Sequence, residues 1–237
     1  FDAAKILHRE IDAGIDFDFY PDSDAQLRLG TAEFSMQWRG SVYADETGDY
    51  EFTVRTPNTV RAWINADVNP AATTDALIDV NVSTPETPDH RVTVRLIGGR
   101  SYPLGIDYWA LPGKAGGPPP AIALRWKPPH GSEQTIPARN LSTAMVRPTF
   151  VITTRFPADD SSQGFERGLT VSKAWDEATT RGAFEVANQV VKRLDRFAGT
   201  RADDTARAQK LEAFAGKFVT AAFRRPLSAD ETQRHVA

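Results

Sequence analysis

Asn58, Asn65, Asp67, Asn69, Asp75 and Asp79 crowd one stretch of an otherwise strand-like sequence. Amides and carboxylates hydrogen-bond the paired hydroxyls of a sugar, while an aromatic ring stacks on its C–H face. Trp109 is the aromatic candidate. It follows Tyr108 directly, and neighbours on a strand point to opposite sheet faces, so one of the two leaves the core. The bland reading of the Asn/Asp cluster is turn formation, which these residues favour through side-chain-to-backbone bonds. Asp67, Asp75 and Asp79 are the carboxylates of this stretch. Their spacing does not by itself bring them together.

Other chemistry finds less support. Asp159-Asp160 is a paired carboxylate, but adjacent residues on an extended chain diverge, and a turn or helix-start role is the simpler reading. His8, His90, His130 and His235 are isolated, without the spacing of a metal or haem site. There is no cysteine, which excludes disulfides, thiolate metal sites and cysteine nucleophiles in this chain. No nucleophile-elbow, P-loop or dinucleotide fingerprint occurs. Arg224-Arg225 could clamp an anion, yet cations ending a helix also complement its dipole. No catalytic residue is assigned, and the reading leans away from an enzyme.

The elements that must hold these residues follow from periodicity. Phe34, Met36 and Trp38 alternate, then Tyr50, Phe52 and Val54, then Val60, Ala62 and Ile64. Val92, Val94 and Leu96 lead into Gly98-Gly99, which reads as a hairpin turn; Leu104, Ile106 and Tyr108 follow, then Ile122, Leu124 and Trp126. Period-two alternation broken by Gly, Pro, Asn and Asp predicts half-buried antiparallel strands. Residues 65–79 form a long polar insertion, a usual place for binding on a rigid sandwich. Residues 1–16 show helix-like spacing, and 149–156 reads as one further strand. Beyond it the period becomes helical: Ser172 is a plausible N-cap, Trp175 to Phe197 and Leu211 to Ala222 carry apolar stripes, and Ser228 to Glu231 is a capping box.

The formal net charge of 237 residues is −3, which gives no reason to bind nucleic acid. No apolar run is long enough to span a bilayer. The chain opens without Met and stops inside an apparent helix, so it is read as part of something longer.

The wording from Trp38 to Asn65, WRGSVYADETGDYEFTVRTPNTVRAWIN, is similar to the protective-antigen, or "PA fourteen", sandwich domain. So are Val94 to Tyr108, Ala123 to Trp126, and Ile136-Pro137 with Leu141. The resemblance covers about residues 17–141 and implies carbohydrate binding outside the cell. It also implies calcium, held in sugar-binding members by two adjacent aspartates after the Gly-x-Tyr-x-Phe strand. The matching turn here is Thr56-Pro57-Asn58-Thr59 and lacks them, so a calcium ion, which takes about 6–8 oxygen ligands, would have to draw on Asp67, Asp75 and Asp79 of the longer loop instead. A second resemblance, carried by Phe156 to Asp160, Gly164 to Gly168, Val171 to Trp175 and FVTAAFRRPL at 218–227, is to large secreted planctomycete-type multidomain proteins of unknown function.

The expected fold is α+β: a leading helical segment (1–16), an antiparallel, jelly-roll-like β-sandwich (17–141), a linker with one β-like strand (142–162) and a truncated α-helical module (163–237). The expected function is a non-catalytic, extracytoplasmic carbohydrate-binding module of a larger secreted protein. Its partners would be a polysaccharide or glycan and the parent protein's remaining domains, with no nucleic acid and no membrane insertion. The candidate ligand residues are Asn58, Asn65, Asp67, Asn69 and Trp109. The alternatives are a protein–protein scaffold without a small ligand, and an accessory part of a hydrolase or cytochrome-linked redox protein.

Overall fold

A computed structural model describes residues 6, 8–20, 33–68, 76–81, 89–110, 118–157 and 172–236. Contacts divide the chain into two units, Phe1–Val151 and Ile152–Ala237. Among the described residues the first contains ten strands: β1 (Asp16–Asp18), β2 (Phe34–Ala44), β3 (Gly48–Arg55), β4 (Thr59–Ile64), β5 (Ile78–Val80), β6 (Asp89–Leu96), β7 (Arg100–Ala110), β8 (Ala121–Lys127), β9 (Gln134–Thr135) and β10 (Leu141–Ser142). They form two antiparallel sheets. One runs β1–β8–β3–β6 with β9 also on β8; the other runs β10–β2–β7–β4–β5. The α+β class and the sandwich read from the alternation are as expected.

The alternating residues face inward as their period requires. Tyr50, Phe52 and Val54 of β3 meet Ile122, Leu124 and Trp126 of β8 in one core, with Tyr102, Leu104, Ile106 and Tyr108 of β7. Trp126 packs 5.1 Å from the Tyr50 ring, and Phe19 packs edge-on 4.7 Å from Phe34. Trp63 is fully buried although it lies on the outer register of β4, with Arg61 and opposite the inward Ala62 and Ile64.

Two tyrosines close one end of the sandwich. The Tyr50 hydroxyl donates to Glu46 O and accepts from Glu46 N–H, at 3.0 and 3.2 Å. The Tyr102 hydroxyl makes the same pair with Ile97, at 3.0 and 2.7 Å. Each ring is thus core at its body and a turn staple at its tip. The two turns also interlock: Gly98 N–H donates to Thr47 Oγ1 at 2.9 Å and Gly99 N–H to Ala44 O at 2.8 Å. A side chain at Gly98 would meet the Glu46 backbone at 2.7 Å, and Gly99 has φ +77°, so this hairpin turn requires both glycines.

Two expectations are corrected. Ile6 and residues 8–13, within the stretch read as a leading helix, are not helical, and β1 begins at Asp16. Residues 149–156 do not form a strand. The backbone groups of Thr149, Thr153 and Thr154 are taken by side chains instead. In the sandwich unit, Asn65 accepts from Thr149 N–H and donates to Thr149 O, both at 2.8 Å.

In the second unit, Glu185 takes the Thr153 and Thr154 N–H groups at 2.7 and 2.8 Å, and both threonine hydroxyls as well. Glu185 lies on α1 (Lys173–Val191), which is followed by α2 (Leu194–Ala198), α3 (Arg207–Phe223) and α4 (Ala229–His235). Ser172 caps α1, and Ser228 with Glu231 forms the capping box of α4, as read from the sequence. Arg224 is the left-handed C-cap of α3, while Arg225 forks onto Glu231 at 2.9 and 2.6 Å and is committed to the start of α4. Among the described residues of this unit only Ala178, Gly182 and Thr200 are buried.

Two outcomes follow from these staples. Tyr102→Phe strands the Ile97 N–H and C=O, and is expected to cost about 1–3 kcal/mol in urea unfolding. The hydrogen bonds from Thr154 and Thr153 hold the Glu185 carboxyl below its ordinary value of 4.5. A depressed folded value stabilises the clasp above that value and loses the stabilisation as pH falls through it. The Thr153 and Thr154 amide resonances are therefore expected to shift together below about pH 4.5, and not to do so in Glu185→Gln.

Candidate functional site

The two ends of the sandwich differ. The tyrosine-stapled end carries the interlocked turns. Asn140 adds to it by donating to Tyr43 O at 3.0 Å and Asp45 Oδ2 at 2.8 Å. At the other end meet the turn between β3 and β4, the last residues of β1, β5 and β7, and the first of β2, β6 and β8. Register places them together: Asp18 opposite Ala121, Arg55 opposite Asp89, Phe34 opposite Ala110 and Thr59 opposite Trp109.

This geometry divides the residues singled out in the sequence. Asn58 and Trp109 lie at the second end. Asn65 and Asp67 lie past the far end of β4, roughly 20 Å of strand away at about 3.3 Å per residue. Asn65 is committed to Thr149 and sits at φ +54°. Asp79 is on β5 beside Arg61. Asn69 and Asp75, like Asp159 and Asp160, lie outside the described residues.

Alternation sends Tyr108 inward, where it is fully buried, and leaves Trp109 half-buried on the outer face. The Arg61 guanidinium lies 5.5 Å from the centre of the Trp109 ring, so this indole is not a bare platform. Arg61 Nε donates to Asp79 Oδ1 at 3.0 Å, which fixes the guanidinium on the ring and leaves its two terminal nitrogens without a protein acceptor among the described residues. Sequence reasoning passed over Arg61. The signal was present, because the Val60, Ala62, Ile64 alternation puts Arg61 on the outer face next to the strand that bears Trp109.

Asn58 is oriented from below. The Tyr108 hydroxyl donates to Asn58 Oδ1 at 2.8 Å, and Asn58 N–H donates to Thr56 Oγ1 at 3.1 Å. Thr56 in turn donates to Ala121 O at 2.6 Å. Burial pushes the Tyr108 phenol far above its ordinary range, so it remains a donor at any ordinary pH. The Asn58 amide nitrogen then has no protein acceptor among the described residues and can donate outward.

The same bonds bear on calcium. The turn Thr56–Thr59 has no carboxylate, and Asn58 Oδ1 is already accepting a hydrogen bond. Its residues do not fit a calcium ion, which needs about 6–8 oxygens, some of them anionic. Among the described residues no three His, Cys, Asp or Glu side chains converge as a metal set. What Asn58, Thr59, Arg61, Asp79 and Trp109 offer is hydrogen bonding beside an aromatic edge, a binding chemistry rather than proton transfer.

Residues 15–140 match the sequence profile of the PA14 domain. No curated protein matches the chain. Among solved structures, the chain is similar to an anti-sigma factor domain-containing protein, with 25% identity and a TM-score of 0.45 over 57% of this chain and 41% of that one. It therefore spans about two fifths of that relative. It is also similar to the PA14 domain of the MpAFP antifreeze protein, with 16% identity and a TM-score of 0.33 over 46% and 51% of the two chains. A third likeness is to the Epithelial Adhesin 9 A domain of Candida glabrata, solved with Galβ1-3GlcNAc, with 17% identity and a TM-score of 0.38 over 50% and 55%.

Asn65 is thus a structural residue. Asn65→Ala removes both bonds to Thr149 and replaces an asparagine, which tolerates the left-handed conformation, by a residue that favours it less. It is expected to cost about 2–3 kcal/mol, measured by urea unfolding of the sandwich unit.

Proposed function

The chain belongs to the PA14 domain family, and from that membership we propose that it binds carbohydrate without catalysis. The binding end is the one opposite the tyrosine staples. The observation that carries this reading is the outer-face shelf of Trp109 and Arg61, braced by Asp79, with Asn58 held by Tyr108 at the same end of the sandwich. Arg61 and Asn58 donate to sugar hydroxyls, and the exposed part of the indole packs on C–H groups. Recognition is direct, with no cation in the Thr56–Thr59 turn. Among the described residues no helix is long and apolar enough to cross a membrane. We place the domain outside the cytoplasm, in a larger secreted protein that it anchors to polysaccharide or glycoconjugate.

A scaffold without a small ligand is the second reading. It is favoured by the commitment of Asn65 to the fold, since one of the amides with sugar-binding chemistry is already spent.

The test is a glycan-array and polysaccharide screen, run with calcium and again with chelator, on the wild type and on Trp109→Ala and Arg61→Ala. The expected result is binding that survives chelation and weakens about tenfold or more in both variants, with thermal unfolding nearly unchanged; tenfold corresponds to about 1.4 kcal/mol. Folded protein that binds no glycan class would overturn the reading in favour of the scaffold.

A further inference from the structure

The outer face of the β10–β2–β7–β4–β5 sheet is closed over one half and open over the other. On the closed half Trp63 is fully buried, and a side chain at Gly105 would meet Val68 at 2.7 Å. Two residues along β7, Asp107 is buried and holds the Arg39 guanidinium. Past Asp107 the face opens to solvent. Ser35 and Gln37 of β2 are exposed, Trp109 of β7 is half-buried, and the paired Arg61 and Asp79 side chains keep 23% and 30% of their surface. Register sets these residues side by side: Ser35 opposite Trp109, Gln37 opposite Asp107, and Arg61 opposite Asp107 on one side and Asp79 on the other. Neither Ser35 nor Gln37 has a side-chain partner among the described residues.

The open half is therefore a band that runs across the strands. Strands lie about 4.8 Å apart, so β2 to β5 measures about 14 Å, the reach of about three sugar rings in an extended chain. Among the described residues no strand closes either end of the band. β10 pairs only with Ser41 and Val42, which leaves β2 as the sheet edge at Ser35 and Gln37, and β5 is the last strand on the other side. The charges on the face balance. Arg39 with Asp107 and Arg61 with Asp79 are the charged groups at outward positions of its described strands, and each is paired. What remains for a ligand is neutral hydrogen bonding by Gln37 and Ser35, a donor and an acceptor side by side in Arg61 and Asp79, and the indole between them.

We propose that this band binds an internal run of a linear, neutral, β-linked polysaccharide, laid across the strands from Gln37 to Asp79. The inference rests on the carbohydrate reading above, extends its site to β2 and names its ligand class. A site for a terminal sugar closes around that sugar, whereas a band open at both ends lets a chain continue past it. A β-linked chain is extended and follows a sheet face, while an α-linked chain coils away from it. A balanced face gives a uronic acid no net attraction, and Asp79 repels its carboxylate. Val68 and the covered half wall the band on one side, so a chain lying along the strands would be blocked at Gly105.

The test is calorimetric titration of the whole chain with β-1,4-linked gluco-, manno-, xylo- and galacto-oligosaccharides from monomer to hexamer, and with galacturonate oligomers of the same lengths. In a neutral series the affinity is expected to rise about tenfold or more between dimer and tetramer and then level off. Borohydride reduction of the hexamer's end sugar is expected to leave its affinity unchanged, because neither chain end is read. Gln37→Ala is expected to weaken the tetramer about threefold more than the dimer, with Tm unchanged because Gln37 is exposed. Full affinity already at the monomer or dimer, or loss of binding on end reduction, would overturn the chain inference and leave the carbohydrate reading standing. So would a Gln37→Ala variant that weakens every length equally or none. Galacturonate oligomers that bind as tightly as the neutral ones would overturn the assignment to a neutral chain. Binding confined to α-linked or branched terminal glycans would sink this inference alone; no binding of any sugar would sink both.

Discussion

The ladder between β2 and β7 joins eleven residue pairs without a break, from Phe34 opposite Ala110 to Ala44 opposite Arg100. Because side chains alternate strictly along a strand, this single register decides which residues are core and which are surface over much of the second sheet. It buries Tyr102, Leu104, Ile106 and Tyr108, and by the same rule turns Trp109 outward. It also aligns Asp107 with the Arg39 guanidinium, which bonds the Trp38 and Ile106 carbonyls on the way. A slip of one residue would send Tyr108 to solvent, and with it the hydroxyl that orients Asn58.

Most of that ladder was legible in the sequence. The runs around Trp38, Tyr50, Val60, Leu104 and Trp126 alternate cleanly, and each became a strand with its apolar residues inward. The helix caps at Ser172 and Ser228 were legible for the same reason, being local signals with local effects. Convergence between distant residues was not legible. Asn58 and Asn65 are seven positions apart and look like one cluster, but a strand separates them and carries them to opposite ends of the sandwich. Arg61 has no motif of its own, and only its partner strands make it part of a shelf.

The strand expected at 149–156, which does not form, shows a different limit. Phe150, Ile152 and Thr154 do alternate, yet alternation states only which way side chains point. It says nothing about what takes the backbone hydrogen bonds. Here an asparagine amide and a glutamate carboxylate accept them, one in each unit, and no neighbouring strand is needed. Gln37 and Arg61 present the reverse case, polar residues whose outward strand positions are read easily and whose place in one band appears only in three dimensions.

The contrast between the two ends of the sandwich bears on how such a domain can change. At the stapled end a methyl group at Gly98 has nowhere to go, and the two tyrosine hydroxyls tie each turn to its own strand. Substitutions there are paid for in folding. At the opposite end the strands are already held by their ladders before the connections begin, so those connections can lengthen, shorten or exchange residues with little effect on the core. Diversification is thereby channelled to one pole, and a new recognition specificity can be acquired there without the scaffold having to be refolded around it.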